Sequence, residues 1–142
     1  WSPLRQYPTK VAPGRKVAVA GLGGLGHMGV KFAVALGAEV TVITTSPSKA
    51  DAAHALGAHH VLLSTDREQM KQAASRFDFI LDTIPVAHDV QPYLKLLRRG
   101  GRMVVVGAIE PLPSIHGGLL LQNNRSIGGS GVGGVTETQA ML

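Results

Sequence analysis

The feature that most constrains this chain is a glycine-rich hexapeptide, Gly21-Leu22-Gly23-Gly24-Leu25-Gly26, set between a short apolar run and an amphipathic one. Lys16 to Ala20 before it is β-rich. After it, Leu25, Met28, Phe32 and Leu36 recur at helical spacing and are predicted to share the buried face of a helix that Gly37 closes. Such a chain must leave a strand, turn sharply and enter a helix within a few residues. The first glycine permits the tight turn. The second removes the Cβ that would hold a ligand off the backbone, and the third lets the helix pack close against the strand. The amides of Gly24 and Leu25 lack intrahelical acceptors, so together with the helix dipole they favour a phosphate group there.

The alternation then repeats. Strands are predicted at Val40 to Thr44, Val61 to Leu63, Phe77 to Thr83 and Arg102 to Val106, with a sixth around Ser126 to Gly129. Between them lie a helix from Pro47 to Leu56 with Ser46 as its expected N-cap, one opened by Asp66-Arg67-Glu68-Gln69, and one from Val90 to Leu97 that stops at Gly100-Gly101. Thr136-Glu137-Thr138-Gln139 is expected to cap a last helix. Strands joined by helical crossovers make a parallel sheet. The fold class is therefore α/β: a Rossmann doubly wound parallel six-stranded sheet with helices on both faces, able to hold a dinucleotide at the glycine turn. Residues 1–14, with Pro3, Pro8 and Pro13, read as an extended lead-in, and residues 15–142 as one domain.

Composition narrows the function classes. The net charge of +5 puts polyanions under consideration, but the basic residues are scattered and aromatics are only 4%, so no nucleic-acid partner is expected. With no cysteine, the chain forms no disulfide and no cysteine-liganded zinc site of its own. No apolar stretch approaches a membrane span and Trp1-Ser2-Pro3-Leu4-Arg5 has no signal core, so a cytoplasmic segment that starts within a longer protein is expected, with no membrane partner. His54, His59 and His60 read as surface side chains rather than a metal site, because adjacent strand residues face opposite ways. His27, in the first turn after the glycines, reads as a solvated side chain or a phosphate contact. Asp82 is expected to be structural and Thr83 to line a ligand cleft, while the small Gly107 and Ala108 permit close approach.

Dinucleotide domains that prefer NAD, and methyltransferases that bind S-adenosylmethionine, usually place a carboxylate at the end of the second strand to hold ribose hydroxyls. Here that position is Thr44. The run Val42-Ile43-Thr44-Thr45-Ser46 with Lys49, the glycine turn continued by His27-Met28, Ala55-Leu56-Gly57-Ala58, and Thr136 to Leu142 together resemble the medium-chain zinc-dependent alcohol dehydrogenases. The likeness is to the cinnamyl-alcohol-dehydrogenase-like branch that uses NADPH. It extends over the whole chain, Ser2-Pro3-Leu4 resembling the segment that leads from that family's catalytic domain into its cofactor domain.

The resemblance implies reversible conversion of an alcohol to an aldehyde with NADP(H), with zinc held only in a catalytic domain absent from this chain. It implies that Gly21, Leu22, Gly23, Gly24, Leu25 and Gly26 form the pyrophosphate turn and that Thr44, Thr45, Ser46 and Lys49 surround the adenosine ribose. Thr83, Ile84 and Pro85 would border the ribose or nicotinamide, and Val106, Gly107, Ala108, Ser130, Gly131 and Val132 the carboxamide. No catalytic or metal-ligating residue is assigned to this chain, which is expected to bind cofactor without turning over substrate. Residues 119–130 are expected to pair two copies edge to edge. Two alternatives stand beside this reading: a free-standing nucleotide-sensing module, which typically keeps the acid that Thr44 replaces, and the cofactor domain of a zinc-free quinone or enoyl reductase, which usually carries alanine where Gly21 stands.

Overall fold

A computed structural model describes residues 1–142 and contains a single sheet of six parallel strands. These are β1 (Lys16–Ala20), β2 (Glu39–Thr44), β3 (His60–Leu63), β4 (Phe77–Asp82), β5 (Leu97–Val105) and β6 (Ser126–Gly129), in the spatial order β3-β2-β1-β4-β5-β6. The doubly wound α/β fold expected from the alternation is the fold observed. Connections run outward in opposite directions from the central pair β1 and β4, and this reversal opens a crevice at their carboxyl ends.

The helices are α1 (Ser2–Gln6), α2 (Gly24–Ala35), α3 (Ala50–Ala55), α4 (Arg67–Gln72), α5 (Gln91–Leu94), α6 (Gly118–Leu121) and α7 (Val135–Met141). Side-chain alternation along the strands divides the core into two layers. Val17 and Val19 of β1 pack with Val30 and Ala33 of α2, while Ala18 and Ala20 belong to the opposite layer with Ile80, Leu94 and Met103. Helices therefore cover both faces. No helix is long and apolar enough to cross a membrane.

Several local expectations are corrected. The lead-in is not extended: Ser2–Gln6 is helical, and Leu4 and Val11 are buried in the layer beneath α2. The buried face of α2 consists of Gly26, Gly29, Val30 and Ala33, whereas Leu25 and Met28 are 57% and 46% exposed. A Cβ on Gly29 would come within 2.8 Å of Leu81 Cδ2, so it is the small residues that let this helix lie close on the sheet.

The segment expected as one helix from Pro47 splits into a 3-10 turn, Pro47–Lys49, followed by α3. Ser46 makes no cap, its hydroxyl lying 2.7 Å from that of Ser48. Asp66 does cap α4, accepting from the amides of Glu68 at 3.0 Å and Gln69 at 3.1 Å. The helix predicted from Val90 to Leu97 ends at Leu94, because Leu97 already pairs with Phe77 and a register shift carries β5 past Gly100 at φ +72°. The last helix is capped by Gly134 rather than Thr136.

Candidate functional site

The chain leaves β1 through Gly21, whose φ of +90° is a left-handed conformation that disfavours any side chain. Its amide donates to the Ile43 carbonyl at 3.0 Å, fixing the turn against β2. Gly26 sits beneath the turn, where a Cβ would overlap the backbone of Gly21. Gly23 and Gly24 are the reverse case: a Cβ on either would project into open space. Gly23 caps α2 with no side chain, so the first amides of this twelve-residue helix meet no side-chain acceptor.

That open space is a cavity of about 460 Å³ at the carboxyl ends of the strands. Gly21, Leu22, Gly23, Gly24 and Leu25 line it from the turn, Thr44 from the end of β2 with Thr45 and Lys49 beyond it, and Thr83, Ile84, Pro85 and Gly107 from beyond β4 and β5. Residues distant in sequence are thus brought onto one crevice. Thr44 is buried, and its Oγ1 accepts from the Ser46 amide at 3.2 Å, which bends the chain so that Thr45 and Lys49 reach the cavity exposed. Thr83 is buried and donates from Oγ1 to the Ala20 carbonyl at 2.8 Å. Gly107 packs so closely that a Cβ would overlap the Thr83 carbonyl.

The remaining candidates lie elsewhere. Gly26 supports the turn from below, and Ser46 is not part of the cavity wall. Val106, Ser130, Gly131 and Val132 line a second cavity of about 450 Å³, which shares Leu25 with the first. Ala108 lines neither. Three cavity residues went unnoticed in the sequence: Ile43, Ser64 and Tyr93. Ser64 follows β3 as Thr45 follows β2, so strand-end counting was the available signal. Tyr93 comes from α5 and carried none. Burial raises its phenol above the ordinary tyrosine range.

Asp82, at the end of β4, is completely buried, and that burial raises its carboxyl above the usual range, against the opposing pull of the Ile84 amide and His88. The histidines considered as surface residues each have local partners. His59 Nδ1 accepts from the Val40 amide at 3.0 Å, His60 lies 3.0 Å from Glu39, and His54 lies 3.0 Å from the Ala58 carbonyl. His27 is exposed. No three His, Asp or Glu side chains converge as a metal site would require.

Comparison with known proteins gives this geometry a context. Residues 24–142 match the family described as zinc-binding dehydrogenase. The whole chain is 46% identical over 144 residues to a probable cinnamyl alcohol dehydrogenase of Pinus taeda, covering 40% of that protein. It is likewise 46% identical over 143 residues to the aldehyde reductase YahK of Escherichia coli (strain K12), again covering 40%. A cinnamyl alcohol dehydrogenase structure from Sorghum bicolor superposes with a TM-score of 0.93 at 46% identity, over 99% of this chain and 40% of that one. A Helicobacter pylori cinnamyl alcohol dehydrogenase, complexed with NADP(H), superposes with a TM-score of 0.84 at 43% identity, over 99% of this chain and 39% of that one. With the fold, the glycine turn and this match in agreement, the chain belongs to the zinc-binding dehydrogenase family and resembles its cinnamyl-alcohol-dehydrogenase-like members.

Proposed function

We propose that this chain binds NADP(H) along its first cavity and serves as the cofactor-binding domain of a zinc-dependent alcohol dehydrogenase that interconverts alcohols and aldehydes. The observation that carries the reading is the coincidence, on one crevice, of the open glycines Gly23 and Gly24 with Thr44, Thr45 and Lys49. The residues fit a dinucleotide phosphate by weight of backbone: no Cβ intrudes, and the unpartnered α2 amides supply donors. In this reading Gly21 to Leu25 hold the pyrophosphate, Thr44, Thr45, Ser46 and Lys49 the adenosine ribose and its phosphate, and Thr83 to Pro85 the inner ribose. Val106, Ser130, Gly131 and Val132 then border the nicotinamide end, since the second cavity continues from Leu25, with Gly107 on the first cavity and Ala108 beside it in the chain.

Once bound, the nicotinamide would accept a hydride from an alcohol in its oxidised form and give one to an aldehyde in its reduced form. In this reading Leu25 and Val106, which line the second cavity, border that ring. Zinc does not fit the residues of this chain: it has no cysteine and no converging three-residue donor set, so the metal belongs to other parts of such an enzyme. Titrating the chain with NADPH and NADH by nicotinamide fluorescence tests the reading. Tighter binding of NADPH is the expected result, and binding of neither nucleotide overturns it.

We also infer that two copies associate along β6, whose outer edge pairs with no strand and whose neighbour Leu121 is 82% exposed. Leu120 instead packs partly against the core, so Leu121→Glu rather than a change at Leu120 is the discriminating variant. A light-scattering mass of one chain at high concentration, unaltered by Leu121→Glu, would sink this inference.

A further inference from the structure

The mechanism above makes no use of Asp82, a carboxyl group with no exposed surface at the end of a central strand. Both of its oxygens are engaged. Oδ1 accepts from the Ile84 amide at 3.1 Å, and Oδ2 lies 2.6 Å from His88 Nε2. The other ring nitrogen, Nδ1, lies 2.7 Å from the Val86 carbonyl.

These contacts fix the proton count. A carbonyl oxygen only accepts, so Nδ1 must carry a hydrogen. A neutral ring protonated at Nδ1 would then turn the bare Nε2 lone pair toward Oδ2, and two lone pairs do not rest 2.6 Å apart. One proton therefore lies between them, formally on the imidazolium or on the carboxylic acid. Either way the pair has no net charge, which removes the penalty of burying a lone carboxylate. Burial, which raises the Asp82 carboxyl, acts in the same direction.

What the pair holds is the segment between its members. Ile84 is tied to Asp82 and Val86 to His88, while Thr83 is tied to Ala20. Thr83, Ile84 and Pro85 are the residues that wall the first cavity on this side, and the His88 ring packs edge-on to Tyr93, a further wall residue, with centroids 6.0 Å apart. The titratable groups around the pair are Tyr93 from α5 and Glu110, whose carboxylate accepts from the Ala87 amide at 3.2 Å.

We propose that Asp82 and His88 share a single proton and, as positioning residues, lock the Thr83–Val86 turn into the wall of the nucleotide cleft. The consequence for NADP(H) rests on the cofactor reading above; the shared proton and the held turn do not.

Proton NMR of the unmodified chain tests the pair directly. A short, solvent-shielded N–H–O proton resonates downfield of the amide envelope. We expect such a signal at neutral pH, and its loss in His88→Gln. Hydrogen exchange at the Ile84 amide should accelerate about tenfold or more in His88→Ala, and less in His88→Gln, whose amide can donate to Asp82 but leaves Val86 unpaired. NADPH affinity should fall in the same order, by about tenfold for alanine. Absence of the downfield signal in the unmodified chain, or unchanged Ile84 exchange in both variants, overturns the proposal. A chain that shows the signal and a protected turn yet binds no NADPH overturns the cofactor reading and supports the pair. A chain that binds NADPH equally well in all three forms overturns the positioning role alone.

Discussion

Thr83 Oγ1 donates to the Ala20 carbonyl at 2.8 Å, so the carboxyl ends of β1 and β4 are stitched together by a side chain directly beneath the glycine turn. The backbone alone already pairs these strands, the Thr83 amide donating to the same carbonyl at 2.9 Å. What the hydroxyl adds is position. A Cβ built on Gly21 would come within 2.9 Å of it, so the hydroxyl forms the floor against which the turn is pressed.

Replacing Thr83 by valine keeps the shape and removes the donor. Because Ala20 retains its amide partner, the expected loss is that of one neutral hydrogen bond, about 1 kcal/mol, or a fall of roughly 2–4 °C in Tm. Cofactor affinity should fall as well, since the lost hydroxyl also reaches the Gly21 carbonyl of the turn at 3.4 Å. Calorimetry together with NADPH titration of Thr83→Val checks both, and an unchanged affinity would argue that the turn is held by backbone alone.

The glycines of the turn separate into two physical classes, and alanine scanning should tell them apart. Gly26→Ala forces a methyl group onto the Gly21 backbone, which cannot rotate away, so a stability loss of roughly 1–3 kcal/mol is expected. Gly23 has φ −90° and ψ −158°, extended values open to any residue, and its Cβ meets nothing. Gly23→Ala should therefore leave thermal stability within about 0.5 kcal/mol of the unmodified chain while lowering NADPH affinity about tenfold. Equal stability losses in the two variants would contradict this division.

The legible parts of the fold were those with a period or a punctuation mark. The parallel six-stranded sheet followed from alternation, and the glycine turn from its place between Ala20 and the helix. On α2 and its C-cap, Phe32 and Leu36 pack against the core as their spacing predicts, but Leu25 and Met28 do not, because hydrophobic periodicity weighs large side chains whereas close packing on a sheet selects small ones such as Gly29 and Ala33. Leu4 was hidden for another reason. Its burial is decided by the surface beneath α2, which no local pattern announces. In the site, strand ends such as Thr44 and Thr83 could be counted off, but Tyr93 arrives from a four-residue helix on the far layer, and only three-dimensional packing brings it to the cavity.

Tyr93 gives the chain a pH limit. Burial raises its phenol above the ordinary value near 10, so the folded state binds that proton more tightly than the unfolded state does. Its contribution is complete below about pH 10 and is lost as pH rises through the folded-state value. Tyr93→Phe should differ in stability at neutral pH by about 1 kcal/mol at most, yet show a flatter alkaline limb. Urea unfolding between pH 8 and pH 11 (roughly the span that brackets the tyrosine range) measures both; parallel curves for the two proteins would refute the assignment.

Arg125 is a buried guanidinium that meets carbonyls instead of a carboxylate. Nε donates to Leu97 at 2.9 Å, and the terminal nitrogens reach the Leu119 and Lys95 carbonyls and the Ser75 hydroxyl at 3.3–3.4 Å. Ser75 and Asn123 nearby hold left-handed φ values of 55° and 64°, so one side chain pins two irregular turns to the end of β5. Arg125→Met fills similar volume but strands the Leu97 carbonyl. A loss of roughly 1.5–3 kcal/mol is expected, seen as a Tm lower by about 3–12 °C, with NADPH affinity little changed because none of these groups lines the first cavity.

In the NADP(H) reading proposed above, the nucleotide preference turns on Thr44. A carboxylate at that strand end would accept hydrogen bonds from both ribose hydroxyls of NADH and would repel a 2′-phosphate lying within a few ångströms. Threonine removes the repulsion, and Lys49, exposed on the same cavity, would offer an ammonium to such a phosphate. Thr44→Asp is a clean test of this account. The native Oγ1 accepts from the Ser46 amide at 3.2 Å, a role that an aspartate oxygen can fill, so the bend beyond β2 should survive the substitution. NADPH affinity should then drop about tenfold to a hundredfold, the worth of one charge-assisted contact of roughly 1.5–3 kcal/mol, while NADH affinity rises or holds. Lys49→Ala should weaken NADPH alone, since NADH carries nothing for the ammonium to meet at that position. Raising ionic strength should narrow the gap between the two cofactors in the unmodified chain and leave it nearly unchanged in Lys49→Ala, because screening acts only where a charge pair exists. Equal loss of both nucleotides in either variant would mean that the residue supports the fold of the cleft and does not read the phosphate.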